Sequence, residues 1–277
     1  MNRRAPNDDR ILITGGTGTL GRLVVSRLRR GDSKLRVLSR QSHENEDGVE
    51  FVQGDLATGE GVEAAIDGAA IIVHCAGTNR GDDEKALNLA RAAPQAGTRH
   101  LVNISVVGAD RIPVTGALDR AMFGYFAMKL ATERVVAESG LPWTTLRATQ
   151  FYDLILTVMR WMARLPAIPA PTGFRAQPVD AGEVADRLVE LALGEPAGLV
   201  PDIAGPRVYE IAELLRGYLQ TRHKHRLIVP IRLPGKAARA FRAGANLAPD
   251  GVVGRRTWEE FLADRVGPSG DRVSGRA

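Results

Sequence analysis

The chain contains little cysteine, few aromatic residues and few lysines. Of its 277 residues one is a cysteine, Cys75, 5% are aromatic, and most of the 37 basic residues are arginines. A single cysteine excludes an intramolecular disulfide and a cysteine-based zinc site, and the five histidines form no ligand cluster in the sequence. We therefore expect no metal site and a reducing, cytoplasmic location.

Long apolar runs are absent as well. The most apolar stretches, residues 69–76 and 151–166, are too short to span a bilayer or carry charged side chains that hydrocarbon disfavours. Residues 1–10 lack the apolar core of a signal peptide, and residues 267–277 are small and polar, as in disordered tails. We expect no membrane partner.

The charge balance is mildly basic, with 32 acidic residues against the 37 basic ones and a net charge of +5. The arginines are scattered along the chain and mostly interleaved with acidic residues, whereas nucleic-acid binders concentrate them on one face or in one tract. We interpret the excess as solvated surface and expect no nucleic-acid partner.

Short β-branched runs alternate with longer amphipathic stretches between residues 10 and 147, a pattern typical of βαβ units around a parallel sheet. The runs predict strands at 11–14, 35–39, 49–53, 70–75, 100–105 and 143–147. The amphipathic stretches predict helices at 18–30, 59–67, 82–96 and 119–139, and a further helix is expected within 154–165. Beyond these, helices are predicted at 181–193, 209–221, 236–243 and 257–264, and strands at 202–204 and 226–230.

These elements predict an α/β fold: a doubly wound parallel sheet, Rossmann-like, with a small C-terminal substrate lobe. A composition of 44% hydrophobic and 25% charged residues is that of a globular chain with a real core. We expect a nucleotide-binding domain over residues 1–150, a substrate-binding lobe over 151–266 and a disordered tail over 267–277.

The first predicted strand runs directly into a glycine-rich turn and then into a helix. The turn and the start of the helix contain Gly15, Thr17, Gly18, Thr19, Leu20 and Gly21. Glycines at this spacing let the chain turn tightly, bring backbone N–H groups close to a pyrophosphate and pack the helix on the strand, while the positive helix end faces the anion. Because further βα units follow, the pattern predicts dinucleotide binding.

The end of the second predicted strand bears on the choice of cofactor. Arg40 follows Gly21 by 19 positions and comes directly after Ser39. An acidic residue about 20 positions on binds the ribose 2′-hydroxyl of NAD, whereas an arginine there accommodates the 2′-phosphate of NADP. Since neither residue is acidic, NADP(H) is favoured, and NAD(H) is the alternative.

Several further motifs at strand ends resemble one superfamily. They are Thr14 to Gly21, Gly54-Asp55-Leu56, Cys75-Ala76-Gly77, Asn103-Ile104-Ser105, Tyr125 with Lys129, and residues 139–147. Together they resemble the atypical short-chain dehydrogenase/reductase superfamily, in its NmrA-like, NAD(P)H-binding branch, over roughly residues 10–193. That branch includes NADP-dependent reductases and non-catalytic nucleotide sensors.

The resemblance also implies positions for the cofactor. It places Asp55 and Leu56 in the adenine pocket, and it lets the backbone at Cys75, Ala76 and Gly77 approach the cofactor. Ala148, Thr149, Gln150 and Phe151 would then pass near the nicotinamide. All these residues lie at carboxyl ends of predicted strands, where an open α/β sheet binds its ligands.

The candidate chemistry rests on Tyr125, Lys129 and Ser105. Tyr125 and Lys129 are four positions apart on a predicted helix, so they share one face. A phenol needs nearby positive charge to exchange its proton readily, and Lys129 supplies that charge while also reaching the nicotinamide ribose. The alternative is that Tyr-x-x-x-Lys arises by chance on an amphipathic helix and that Ser105 is an ordinary strand-end serine.

We therefore expect an NADPH-dependent oxidoreductase that reduces a small carbonyl or quinone-type substrate by hydride transfer. Its expected partner is this small-molecule substrate, and its expected oligomeric state is a monomer or a homodimer. Two alternatives stay open: a non-catalytic NADP(H)-sensing regulator, and an epimerase or dehydratase that uses the same cofactor. Tyr152 is a second candidate acid, with aromatic packing as its other interpretation.

Overall fold

A computed structural model describes residues 9–31, 33–46, 48–77 and 81–266, so the expected tail at 267–277 lies outside the described residues. The strands are β1 (Arg10–Thr14), β2 (Lys34–Ser39), β3 (Val49–Gln53), β4 (Ala69–His74), β5 (His100–Val106), β6 (Trp143–Ala148), β7 (Ala167–Pro171), β8 (Arg175–Ala176), β9 (Gly198–Leu199), β10 (Ile203–Ala204), β11 (Tyr209–Glu210), β12 (Leu227–Ile231) and β13 (Val252–Val253). The helices are α1 (Thr19–Leu28), α2 (Val62–Ile66), α3 (Asp82–Ala92), α4 (Ala117–Ala137), α5 (Tyr152–Met162), α6 (Ala181–Leu193), α7 (Ile211–Thr221), α8 (Lys236–Arg242) and α9 (Trp258–Val266).

The main sheet is parallel and doubly wound, as the sequence predicts. Its strand order is β3-β2-β1-β4-β5-β6-β10-β13, and β9 also pairs with β6. Successive strands are added on one side of β1, as β2 and then β3, and on the opposite side of β4, as β5 and then β6. In an open α/β sheet, this switch point opens a crevice beyond the carboxyl ends of the strands, where ligands bind.

The side chains of β1 point alternately to two layers of the hydrophobic core, one on each face of the sheet. Ile11 and Ile13 face one side and pack in a cluster that includes Val24 of α1 and Leu188 of α6. Leu12 faces the other side and packs in a cluster built from α2, α3 and α4. Because successive strand residues point to opposite faces, a central strand covered by helices on both sides is apolar throughout.

The two-stranded sheet of β7 and β12 was not predicted as such. Residues 166–171 contain three prolines and carry no strand pattern, but β7 pairs in parallel with β12, with Pro169 opposite Val229 and Pro230 opposite Ala170. Proline cannot donate a ladder hydrogen bond, so it is tolerated in a strand that has a partner on one side only. This pairing joins segments about 60 residues apart, which no local pattern reveals.

The C-terminal part has a core of its own and also extends the main sheet. The apolar face of α5, including Ile155 and Met159, packs with α7 and α9 around Trp258, while β10 and β13 continue the sheet beyond β6. The helix expected at 209–221 begins at Ile211, because the two residues before it pair with β8. The domain boundary at residue 150 stays a prediction.

No helix among the described residues combines the length and apolarity needed to cross a membrane.

Candidate functional site

The turn between β1 and α1 presents backbone N–H groups at the switch point. The Gly18 amide donates to the Gly15 carbonyl oxygen at 3.0 Å, and α1 begins at the next residue. Within the described residues no side chain caps this helix end, and Thr17, Gly18 and Thr19 are exposed. Uncapped N–H groups and the positive end of the helix dipole make this turn suited to a pyrophosphate.

Two glycines of the turn have no room for a side chain. Gly15 has φ +68°, and a Cβ there would lie 2.7 Å from the backbone of Ala76 beyond β4. A Cβ on Gly21 would overlap the carbonyl oxygen of Gly15. The turn therefore packs backbone against backbone, as a close approach to a dinucleotide requires. Leu20 is buried beneath it.

The ends of β2 and β3 carry the next group of predicted cofactor-binding residues. Ser39 is buried and accepts from the amide of Gln41 at 3.2 Å. Arg40 is exposed, and its guanidinium makes no hydrogen bond or ion pair to any residue that the structure describes. Asp55 accepts from the amide two residues on at 2.9 Å, and Leu56 is buried beside it. Arg40 is thus a cation with no internal partner in this part of the chain.

Lys129 of α4 lies at the carboxyl edge of the sheet. It is 3% exposed, and its ammonium is 3.4 Å from the Asp82 carboxylate and donates to the Ile104 carbonyl of β5 at 3.5 Å. A Cβ on Gly77 would lie 3.1 Å from its Nζ, so the ammonium also reaches the residue beyond β4. Burial lowers the pKa of Lys129, and the charge of Asp82 opposes that shift.

Tyr125 lies one helical turn before Lys129, whose Nζ is 5.8 Å from the ring centroid. The tyrosine is 38% exposed. Desolvation first, and the charge of Asp82 second, raise the pKa of its phenol to about 12. We expected Lys129 to lower this pKa. Desolvation is the main reason for the difference, and the negative charge of the buried Asp82 adds to it, because both disfavour a phenolate.

Two buried polar groups at this edge have no internal partner among the described residues. Ser105, on β5, is 4% exposed and its hydroxyl makes no hydrogen bond there. Gln150, just beyond β6, buries both amide atoms without a partner. Each such group costs about 1–3 kcal/mol unless a ligand or water satisfies it. These groups therefore fit a bound molecule with hydrogen-bonding atoms.

The residues around Gln150 are held firmly. Ala148 and Thr149 are buried, and the Thr149 hydroxyl donates to the Gln177 carbonyl oxygen at 2.6 Å. Phe151 forms a β-bridge with Val179. The loop that would pass near a nicotinamide is thus fixed on both sides of the unpartnered amide.

Two residues that sequence reasoning did not select belong to this edge. Asp82 accepts from Lys85 at 3.1 Å and also pairs with Lys129. His74, at the end of β4, shares a 2.8 Å hydrogen bond with Thr14, and burial, with a smaller contribution from Lys129, lowers its pKa to about 3. An acid at the start of the helix that follows the fourth strand was the signal for Asp82. His74 has no such signal, because the sequence separates it from the other four histidines.

Tyr152 proves to be structural and the thiol of Cys75 is unreactive, while the approach of the Cys75 backbone to a cofactor stays a prediction. Tyr152 is fully buried, stacks on Trp258 and Phe261, and donates its hydroxyl hydrogen to the Arg256 carbonyl at 2.7 Å. Its hydroxyl is committed, so the hypothesis that it is a second acid is wrong. Cys75 is partly buried, and desolvation raises its thiol pKa to about 12, which keeps it protonated.

Within the described ranges, no three histidine, cysteine, aspartate or glutamate side chains come together as a metal would require.

The glycine turn, the switch point and the buried polar edge define a dinucleotide-binding α/β protein. The chain belongs to the NAD(P)H-binding family, whose model matches residues 15–193.

Individual relatives extend the comparison. The chain is 32% identical over 151 residues to a (4-alkanoyl-5-oxo-2,5-dihydrofuran-3-yl)methyl phosphate reductase of Streptomyces griseus, a match that covers 53% of this chain and 50% of the reductase. The chain thus spans about half the length of that relative. Its fold is similar to an NADPH-dependent quinone oxidoreductase from Escherichia coli (TM-score 0.70, 17% identity, 91% of this chain and 98% of that one). A nucleoside-diphosphate-sugar epimerase from Staphylococcus aureus is equally similar (TM-score 0.70, 18% identity, 91% and 99%).

Proposed function

We propose that the protein is an NADPH-dependent oxidoreductase of the atypical short-chain dehydrogenase/reductase type that reduces a small carbonyl or quinone-type substrate by hydride transfer. The observation that carries the proposal is the buried ammonium of Lys129 beside Gly77 at the edge of the sheet, with Tyr125 one turn away. A reductase among the relatives and a quinone oxidoreductase of the same fold support the same class.

The chain's own groups would hold the cofactor at three places. The N–H groups of the glycine turn bind the pyrophosphate, Lys129 binds the hydroxyls of the nicotinamide ribose, and Gln150 pairs with the carboxamide. An amide satisfies an amide because each carries both a donor and an acceptor. When bound, the reduced nicotinamide supplies a hydride.

The remaining steps belong to the protein and the substrate. As the carbonyl carbon gains its new C–H bond, the electron pair of the C=O bond moves onto oxygen, and Ser105 donates a hydrogen bond to that oxygen. Tyr125 then gives its hydroxyl proton to the same oxygen, an alcohol leaves, and the partly exposed phenolate takes a proton back from solvent. The phenol, with its pKa raised to about 12, is protonated at neutral pH as an unshifted phenol also is, and it gives up its proton to the strongly basic alkoxide oxygen that hydride addition creates.

The test of the chemistry is NADPH oxidation against a panel of quinones and ketones. We expect Tyr125→Phe to lower kcat by about 10²–10⁴-fold while the Kd for NADPH stays unchanged. Tyr218→Phe is the matched control, because Tyr218 is buried in the C-terminal core, away from the edge. Activity of Tyr125→Phe equal to that of the wild type would show that the tyrosine is not the acid.

We also propose a preference for NADP(H), which rests on the exposed and internally unpaired guanidinium of Arg40. Replacing Arg40 by Asp places a carboxylate where the 2′-phosphate would lie. NADPH binding is expected to weaken by about tenfold or more, and NADH binding much less. Equal loss for both cofactors would contradict the role of Arg40 at the 2′-phosphate.

A second candidate function is cofactor binding without turnover. It is favoured by Asp82, which partly neutralises Lys129 and disfavours the phenolate form of Tyr125. The same panel separates the two functions. Tight NADPH binding with no oxidation of NADPH by any substrate supports the binding protein, whereas turnover that depends on Tyr125 supports the enzyme.

A further inference from the structure

Two segments of the C-terminal half carry basic residues and no acidic ones. Residues 154–179 contain three arginines, and residues 214–249 contain eight lysines and arginines, without a single aspartate or glutamate in either segment. The scattered, interleaved charge of the rest of the chain does not extend to these segments. The net charge of both segments is therefore positive, which suits an anionic partner.

The fold brings the two segments together. β7 lies in the first segment and β12 in the second, and the two strands pair along their whole length. A surface depression of about 620 Å³ lies where they begin, lined by Arg164, Pro166, His225, Arg226 and Leu227. Lys224 precedes this lining and is exposed. Basic side chains from sequence positions far apart thus share one surface.

Large apolar side chains are exposed in the strand that lines the depression and in the helical turn that leads to Arg164. Leu227 of β12 is 66% exposed and Val229, two residues on, is 37% exposed. Trp161, on the last turn of α5 before Arg164, is 63% exposed. We call Trp161, Arg164, Lys224, Arg226, Leu227 and Val229 the basic-apolar surface. Exposed aromatic and aliphatic side chains close in sequence to basic ones are typical of proteins that lie on membranes.

We propose that the basic-apolar surface binds the surface of an anionic lipid bilayer, with Trp161 and Leu227 inserted at headgroup depth and Lys224, Arg226 and Arg164 contacting lipid phosphates. The apolar side chains provide burial, and the cations provide attraction to the negative leaflet. The proposal departs from our expectation of no membrane partner, which rested on the lack of a spanning segment.

Other occupants fit the surface less well. A second copy of the chain that met it face to face would set like charges opposite each other. Nucleic acid would satisfy the cations and stack on Trp161, but its phosphates and sugars leave the exposed aliphatic groups of Leu227 and Val229 without an apolar partner.

The first experiment measures binding to vesicles by sedimentation. The full chain is mixed with vesicles of phosphatidylcholine and phosphatidylglycerol, or of phosphatidylcholine alone, at low and high salt. We expect binding to the mixed vesicles only, weakened by salt. Because a basic side chain near an anionic leaflet contributes about 1 kcal/mol, which is about fivefold, Lys224→Gln with Arg226→Gln should weaken binding about 25-fold.

The matched control removes two positive charges elsewhere. Arg91 of α3 and Arg134 of α4 are exposed, so Arg91→Gln with Arg134→Gln makes the same change in net charge outside the surface. An equal loss of binding in this control overturns the proposal, since the attraction would then come from net charge alone. All four positions are exposed, and a thermal melt confirms that each variant is folded.

The second readout is tryptophan fluorescence. Trp258 is buried and Trp143 is partly buried, so Trp161 is the indole that would move from water to lipid. We expect a blue shift with mixed vesicles that Trp161→Phe abolishes. If the protein does not bind vesicles, the proposal is overturned. If it instead binds labelled duplex DNA or single-stranded RNA, and the Lys224 and Arg226 changes abolish that binding, the partner of this surface is nucleic acid.

Discussion

The buried histidine at the end of β4 makes the stability of the fold dependent on pH. His74 is 1% exposed and shares one hydrogen bond, with Thr14. Its other ring nitrogen has no partner among the described residues. Burial, helped by the nearby charge of Lys129, lowers its pKa from 6.5 to about 3. The folded protein therefore keeps the ring neutral in acid that protonates it in the unfolded chain.

The sign and size of the effect follow from proton linkage. Between the two pKa values the unfolded state binds a proton that the folded state does not, so the free energy of unfolding falls as pH decreases. The full contribution is present above pH 6.5. Each pH unit below that value removes about 1.4 kcal/mol, so about 2 kcal/mol is lost between about pH 7 and about pH 5.

Urea unfolding followed over this pH range isolates the contribution of His74. His74→Gln removes the titration, so the free energy of unfolding of this variant should fall by about 2 kcal/mol less than that of the wild type. His43→Gln is the matched control, because His43 is exposed. If the wild type and His74→Gln lose stability in parallel, or if the ring titrates near its ordinary value by NMR, the reasoning is refuted.

Two further predictions concern the dinucleotide edge. Gly21→Ala sets a methyl group against the Gly15 carbonyl, so we expect about 1–3 kcal/mol of destabilisation and weaker NADPH binding by titration. Gly124→Ala is the control: a Cβ there meets nothing within 4 Å, so this substitution within a helix should instead stabilise the protein. Gln150→Leu replaces a buried, unpartnered amide by an apolar group, so thermal unfolding should show a more stable protein without cofactor and a weaker response to added NADPH. A Gln150→Leu variant that is stabilised by NADPH as much as the wild type would contradict the assignment of Gln150 to the carboxamide.

The elements that the sequence predicted well are those whose signals are local. Short runs rich in β-branched and apolar residues located β1 to β6 within a residue at each end, because such residues suit a pleated and largely buried strand. The glycine turn was also predictable, since its steric requirement lies within a few residues. The pairing of β7 with β12 was not, because it depends on contacts about 60 residues apart and on prolines that normally argue against a strand.

The candidate site divides in the same way. Spacing alone places Tyr125 and Lys129 on one helix face, and the ends of strands place Ser105 and Gln150 at the edge of the sheet. The partners of these groups come from other elements. Neither the ion pair between Asp82 and Lys129 nor the unpartnered amide of Gln150 could be derived from spacing.

The charge of the edge also bears on the direction of the proposed reaction. Reduction needs a protonated acid, whereas oxidation of an alcohol needs a phenolate base. A motif of tyrosine and lysine alone predicts a lowered phenol pKa, which suits the base. The buried carboxylate of Asp82 instead pairs with Lys129 and helps to raise the pKa of Tyr125 to about 12. The raised pKa makes the phenolate base that oxidation would need scarcer at neutral pH, whereas the protonated acid that reduction needs is present with or without the shift.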